Sequence, residues 1–147
     1  MANFQAQVGA WAKNSKAALE AIVHEAAQSV VDDMQTAVGN GGNMPVDTGF
    51  LRASLLASSS SMPQISEANV GAKDSSYSYS SGPVSLVIND TPIGGTLYCG
   101  YTAAYAAHVN YGSNGRAGRL FVELAAQKWP QFVKQAEERA AQAFGVK

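Results

Sequence analysis

The chain has 147 residues, 46% of them hydrophobic, which is enough for one domain with a buried core. Its formal charge of −1, from 10 basic and 11 acidic residues, excludes any general attraction for nucleic acid or for an acidic membrane surface, so a contact with DNA has to be local. Cys99 is the only cysteine, which excludes an intrachain disulfide and a multi-cysteine zinc site; the charged fraction of 14%, against about a quarter in ordinary domains, points to a surface covered in part by partners.

From Phe4 to about Val38 the apolar residues Phe4, Val8, Trp11, Leu19, Ile22, Val23, Ala26, Val30, Met34 and Val38 keep the three-and-four spacing of one long amphipathic helix. Lys13, Lys16, Glu20, Asp32 and Asp33 fall on its other faces. Such a helix is about 50 Å long, more than a domain of this size needs for its own core. Either part of it packs on a neighbouring subunit or all of it wraps its own sheet. Gly39-Asn40-Gly41-Gly42-Asn43 is predicted to stop it. Met1 to Gln7 shows no basic run followed by an apolar stretch, so no signal peptide is expected, and no apolar run is long enough to span a bilayer. A reducing cytoplasm is the expected site of synthesis.

Pro45-Val46-Asp47-Thr48-Gly49-Phe50-Leu51-Arg52-Ala53-Ser54 packs a rigid turn, a helix start and a charged anchor into one stretch. Asp47 is predicted to cap the helix by accepting from the N–H of Gly49 or Phe50, with Val46 just outside and stapled against Leu51. Pro45 stiffens the approach. The cap then holds Arg52 in one direction.

From Ser58 to Pro83 the chain is rich in serine and poor in branched apolar residues, as expected of a long loop or a loosely paired hairpin. Tyr77 and Tyr79 alternate within it, either docking together on a partner or lying in a solvated loop. Val84 to Ile88 and Thr96 to Tyr101 read as strands joined by a turn over Asn89 to Gly95, and Ser54 to Ser58 adds a further strand. Cys99 lies in the second of these strands, where a buried, inert thiol is expected. Ala103 to Tyr111 reads as a short helix ending at Gly112. A second long helix, from Leu120 past Ala140, is expected to kink near Trp129-Pro130. The fold class is therefore α+β in a single domain over 1–147: a long N-terminal helix, a small antiparallel sheet with a long Ser-rich loop, a short helix and a long C-terminal helix.

Catalytic patterns find little support. Asp47-Thr48-Gly49 matches the nucleophile signature of aspartic proteases, but that chemistry needs two carboxylates about 3 Å apart, and here one copy stands behind Pro45 and before Phe50. A triad of Ser54, His108 and Asp47 has no Gly-x-Ser-x-Gly elbow. His24 and His108 have no metal-ligand spacing, and His108 reads as a packed or interfacial residue beside Tyr105 and Tyr111. Gly112-Ser113-Asn114-Gly115-Arg116-Ala117-Gly118-Arg119 is either a mobile loop with solvated arginines or a phosphate-holding helix start. It lacks the Gly-Lys-Ser/Thr ending of a nucleotide-binding loop. No catalytic residue, metal or cofactor is expected.

The pattern Pro-x-Asp-Thr-Gly-x-Leu-Arg-x-Ser, followed by Tyr105-Ala106-Ala107-His108-Val109-Asn110-Tyr111-Gly112-Ser113, is similar to the head-tail joining, or neck, proteins of long-tailed bacteriophages, also described as tail-completion or minor tail components. Two departures stand out. Asn110 occupies a position where the family often has an acidic residue, and a Gly- and Arg-rich run replaces its Pro-containing segment after Gly112. The resemblance implies a non-enzymatic virion protein, made in the host bacterial cytoplasm, that forms a six-fold homo-oligomeric ring between head and tail. Its neighbours would be head-completion or connector proteins and tail proteins, with DNA passing through and no membrane involved. Asp47, Thr48, Gly49, Leu51, Arg52, Tyr77, Tyr79, Tyr105, His108, Tyr111, Arg116 and Arg119 would then serve assembly, with the arginines facing protein neighbours and the Ser-rich segment ordering on assembly. The alternatives are a tail terminator capping the tube and a small DNA-contacting protein using Arg52, Arg116 and Arg119.

Overall fold

In the computed structural model, which describes residues 3–144, the first helix sets the scale for the other elements. Helix α1 runs Asn3–Gln35, and the spacing of its apolar residues buries one stripe that includes Ala18, Ala26, Val31 and Met34. Helix α6 (Trp129–Phe144) lies against it. The ion pairs Glu25–Arg139 and Asp33–Lys128, the latter at 2.9 Å, make the two helices antiparallel, because residue numbers fall along one as they rise along the other. These pairs are partly exposed and are worth about 0.2–1 kcal/mol each. The seam itself is apolar and small, with Ala136 and Ala140 of α6 buried.

Helix α1 ends at Gln35, short of Val38, because the next residues find better backbone partners outside the helix. Thr36 N–H turns back to Asp33 C=O at 3.2 Å, while Met44 N–H donates to Thr36 C=O and Val38 N–H to Met44 C=O. This closes a small loop, with a 3-10 turn at Val38–Asn40, and buries Met44 completely. Gly42 sits so tightly inside it that a Cβ would come closer than 3.0 Å to Thr36.

The sheet is minimal. Strand β1 (Leu55–Ser58) pairs antiparallel with β2 (Tyr98–Tyr101), in the register Leu55↔Tyr101 and Ala57↔Cys99, as the strands expected over Ser54–Ser58 and Thr96–Tyr101 require. Between them stand the Ser-rich segment and helix α3 (Gly82–Asp90). The strand expected over Val84–Ile88 is thus corrected to a helix, and the hairpin turn expected over Asn89–Gly95 becomes the link from α3 to β2. Pro83 in the first turn favours a helix start, and Val84 and Ile88, four apart, share the buried face while Leu86 is exposed. The Ser-rich segment contains no strand, so the hairpin alternative does not hold; it is a long irregular loop.

A one-turn helix α2 (Phe50–Ala53) precedes β1, and α4 (Ala106–Tyr111) follows β2 and ends at Gly112. A hairpin of β3 (Gly112–Ser113) and β4 (Arg116–Ala117) leads to α5 (Phe121–Ala126). The second long helix is therefore two helices, broken just before Trp129-Pro130, because proline is accommodated in the first turn of α6 where no N–H is needed. One core joins these parts, built on Val31 and Met34 of α1, Met44, Leu51, Leu55, Val84, Ile88, Tyr101 and Phe121. The architecture is α+β.

Candidate functional site

The segment Pro45–Ser54 forms a joint between the end of α1 and the sheet. Gly49 takes φ +86° and serves as the residue before α2, which moves the helix start two positions beyond the expected one. Asp47 is then too far back to reach the first-turn amides, and its predicted cap is replaced by the Thr48 hydroxyl, which accepts from Phe50 N–H at 3.3 Å. Asp47 stays exposed, with no hydrogen-bond partner among the described residues, and Val46 stays half exposed while Leu51 is buried, so the staple does not close.

Arg52 turns inward. Its Nε donates to the carbonyl of Gln35 at 2.8 Å, and the side-chain amide of Gln35 donates back to the carbonyl of Arg52 at 2.8 Å. Tyr101 donates its hydroxyl to Gln35 Oε1 at 2.8 Å, completing the bonding of a glutamine that is only 2% exposed. The guanidinium lies 5.8 Å from the centre of the Tyr79 ring, within cation–π range. Burial pushes the phenols of both Tyr79 and Tyr101 up. Arg52 thus ties the last carbonyl of α1 to the joint through its Nε. Truncating it leaves a buried carbonyl unpaired, so Arg52→Ala should lower stability by about 1.5–3 kcal/mol, with Arg52→Lys recovering only part. Asp47→Asn should change stability by less than about 0.5 kcal/mol. Urea unfolding midpoints compare the three; equal losses at Asp47 and Arg52 would restore the capping role to Asp47.

Tyr77 and Tyr79 pack on their own chain. Tyr77 N–H donates to Thr48 C=O at 2.8 Å, and its ring meets Phe50 edge-on at 5.0 Å between centroids. Its hydroxyl accepts from Ala72 N–H at 2.8 Å. Upstream, Ser66 N–H donates to Thr102 C=O and the Asn69 amide to Thr102 Oγ1. The loop's ordering cost, about 1–2 kcal/mol per residue, is offset in part at these points inside the subunit.

The second motif is organised by Asn110, which in the sequence stands out only as a departure from the family pattern. Asn110 is buried at 4% exposure; its Oδ1 accepts from Val122 N–H at 3.2 Å and its amide donates to Glu123 Oε2 at 2.7 Å. One side chain thus caps α5 from another helix and holds the carboxylate of that helix's first turn. An aspartate has no N–H for Glu123, so the amide fits this particular partner. Tyr105 packs near Phe50, with ring centroids 6.3 Å apart, whereas His108 is exposed and Tyr111 is 68% exposed. His108 is therefore not packed beside them. Gly112 to Arg119 opens as a hairpin and not as a helix start: Asn114 (φ +52°) and Gly115 (φ +77°) make the left-handed turn between β3 and β4, and Arg116 and Arg119 are exposed on it and just beyond it, as solvated arginines require. Asn-Gly is the strongest short hairpin signal in a sequence, and it was available there.

The structure brings together Thr48, Gly49, Leu51, Arg52, Tyr77, Tyr79 and Tyr105 around the joint, while Arg116 and Arg119 sit apart from Arg52 on another element. It does not assemble the written triad, since Ser54 Oγ donates to Leu51 C=O at 2.7 Å and His108 and Asp47 are exposed without hydrogen bonds to it. His24 is used structurally, its Nε2 donating to Thr91 C=O at 2.6 Å. Among the described residues no group of three His, Cys, Asp or Glu side chains converges on one point, and no helix is long and apolar enough to cross a membrane. Burial pushes the Cys99 thiol up, away from the reactive thiolate. Comparison with protein-family models, curated proteins and solved structures finds no match.

Proposed function

We propose that the chain is a structural, non-enzymatic subunit of the neck of a long-tailed bacteriophage, built into the virion as a homo-oligomeric ring that joins head to tail or completes the tail. The observation that supports it most is the overreach of α1. Counting back from the Glu25–Arg139 pair at equal rise, the end of α6 at Phe144 falls opposite about residue 20 of α1, so nearly five turns of α1 run on past it. Leu19 and Val23, one turn apart near this end, are 52% and 41% exposed. A neighbouring copy packed on that face accounts for both the length and the exposed leucine and valine.

The engagement of Arg52 with Gln35 supports protein contacts over DNA contacts for the arginines, with Arg116 and Arg119 offered to neighbouring carboxylates. Weak, salt-insensitive retention on duplex DNA is the expected behaviour; affinity falling steeply with salt would favour the DNA-contacting alternative. Leu19→Glu combined with Val23→Glu should leave the fold within about 0.5 kcal/mol of the wild type, because both positions are exposed. The same pair should abolish ring formation in sedimentation. Unchanged assembly would remove α1 from the interface.

A further inference from the structure

The two-stranded sheet has an open edge on β2, at the floor of an apolar groove. Thr102 N–H donates to Ser54 C=O at 3.1 Å, so Thr102 and Ser54 form a bonded pair at the end of the ladder. Bonded and non-bonded pairs alternate in an antiparallel ladder. With the register Leu56↔Gly100 and Ala57↔Cys99, the backbone groups of Gly100 therefore face β1, and those of Cys99 and Tyr101 face away from it. Neither the N–H nor the C=O of Cys99 or Tyr101 has a hydrogen-bond partner among the described residues. Two cavities of about 350 and 550 Å³ run along this edge and share Met34, Cys99 and Val122, forming one continuous groove. Met62 and Ile65 of the Ser-rich segment line the first cavity together with Phe121, and Trp129 lines the second. No Asp, Glu, Lys or Arg lines either cavity.

Exposed strand edges normally carry lysine, proline or a bulge that prevents pairing. None interrupts Thr96 to Thr102, a run without charge or proline. We propose that this groove receives an extended, uncharged segment of an adjoining protein, with apolar side chains at alternate positions, which adds to β2 as a third strand. The unpaired groups of Cys99 and Tyr101, two residues apart, match the donor and acceptor spacing of such a strand, and alternate side chains enter the space beside Met34 and Val122. The occupant comes from a different protein because, among the described residues, this chain offers no suitable free segment: Ser58 to Ser61 has no apolar side chain, Met62 to Ile65 already line the groove, Glu67 to Asp74 is charged, Tyr77 and Tyr79 are packed against the joint, and β2 itself, with Gly100 and Tyr101 buried, lies at the floor of its own groove and cannot enter a second one. The proposal deepens the neck reading by naming how a second kind of subunit attaches.

The test uses the full chain, isotopically labelled, and the synthetic peptide acetyl-Thr-Val-Ser-Val-Thr-Val-amide as probe. Saturable binding with at least tenfold slower amide exchange at Cys99 and Tyr101 is expected, together with at least tenfold weaker binding of a peptide carrying lysine in place of valine. Cys99→Pro removes an N–H that points away from β1, so the variant should keep its fold and lose the peptide, while Cys99→Ala, which keeps that N–H, should bind as the wild type does. No binding, or equal binding by Cys99→Pro and Cys99→Ala, overturns the proposal. Protection of both amides that rises with protein concentration in the absence of peptide also overturns it, since the occupant is then a second copy. A chain that takes the peptide but never forms rings would contradict the ring alone, and a ring-forming chain that refuses the peptide would contradict this attachment alone.

Discussion

Gly49→Ala is expected to lower stability by about 3 kcal/mol. A side chain held at φ +86° meets the left-handed penalty of about 1–2 kcal/mol. At this position the added Cβ also comes closer than 3.0 Å to the carbonyl of Tyr77. Relief requires the loop to move away, which breaks the 2.8 Å bond from Tyr77 N–H to Thr48 C=O and separates the Phe50 and Tyr77 rings. Gly94 gives the control: its φ is +85° and nothing lies within 4 Å of the site of its Cβ, so Gly94→Ala should cost only the conformational part. Urea midpoints of the two variants separate the terms. Equal losses would mean that the Ser-rich segment does not lean on the joint.

Asn110→Asp should destabilise the chain at neutral pH by about 2–3 kcal/mol, although it changes one atom. The variant keeps the oxygen that caps Val122 N–H but loses the donor to Glu123, and sets two carboxylates against each other where a 2.7 Å hydrogen bond stood. Like charges at that range raise the folded-state pKa of the pair above its unfolded value. Its contribution is then fully present below the unfolded carboxylate range and is lost as pH rises through the raised folded value. The deficit of Asn110→Asp should therefore shrink when melting is repeated below about pH 4. Adding Glu123→Gln returns a donor to the site and should recover most of the loss at neutral pH. A deficit that ignores both pH and the second substitution would rule out the Asn110–Glu123 pairing as its cause.

The sequence reveals those features whose cause is local. Helix α1 is readable because its apolar residues keep helical spacing over many turns, and the Leu55–Ser58 and Tyr98–Tyr101 strands because turn residues bound them. Val84-Ser85-Leu86-Val87-Ile88 misleads because branched residues favour strands in isolation, while the deciding facts are Pro83 in the first turn and a core that receives Val84 and Ile88 on one face. Asp47 resembles a helix cap until Gly49 takes its left-handed turn and shifts the helix beyond its reach. The Asn114-Gly115 hairpin was signalled by that dipeptide and obscured by strands only two residues long. Nothing near Gln35 marks it, because its partners Arg52 and Tyr101 are remote in sequence. The same holds for Asn110 and Glu123, whose pairing depends on how α4 and α5 meet.

The role proposed for this chain is that of a ring-forming subunit and not of a free catalyst or DNA binder. Native mass measurement on the purified chain, alone and after release from intact particles, addresses it most directly. The neck reading predicts a closed assembly of identical copies, six by the family resemblance, in the particle-derived material, and its loss in the Leu19→Glu, Val23→Glu variant. Recovery of the chain only as a monomer from particles, or its absence from them, would contradict it.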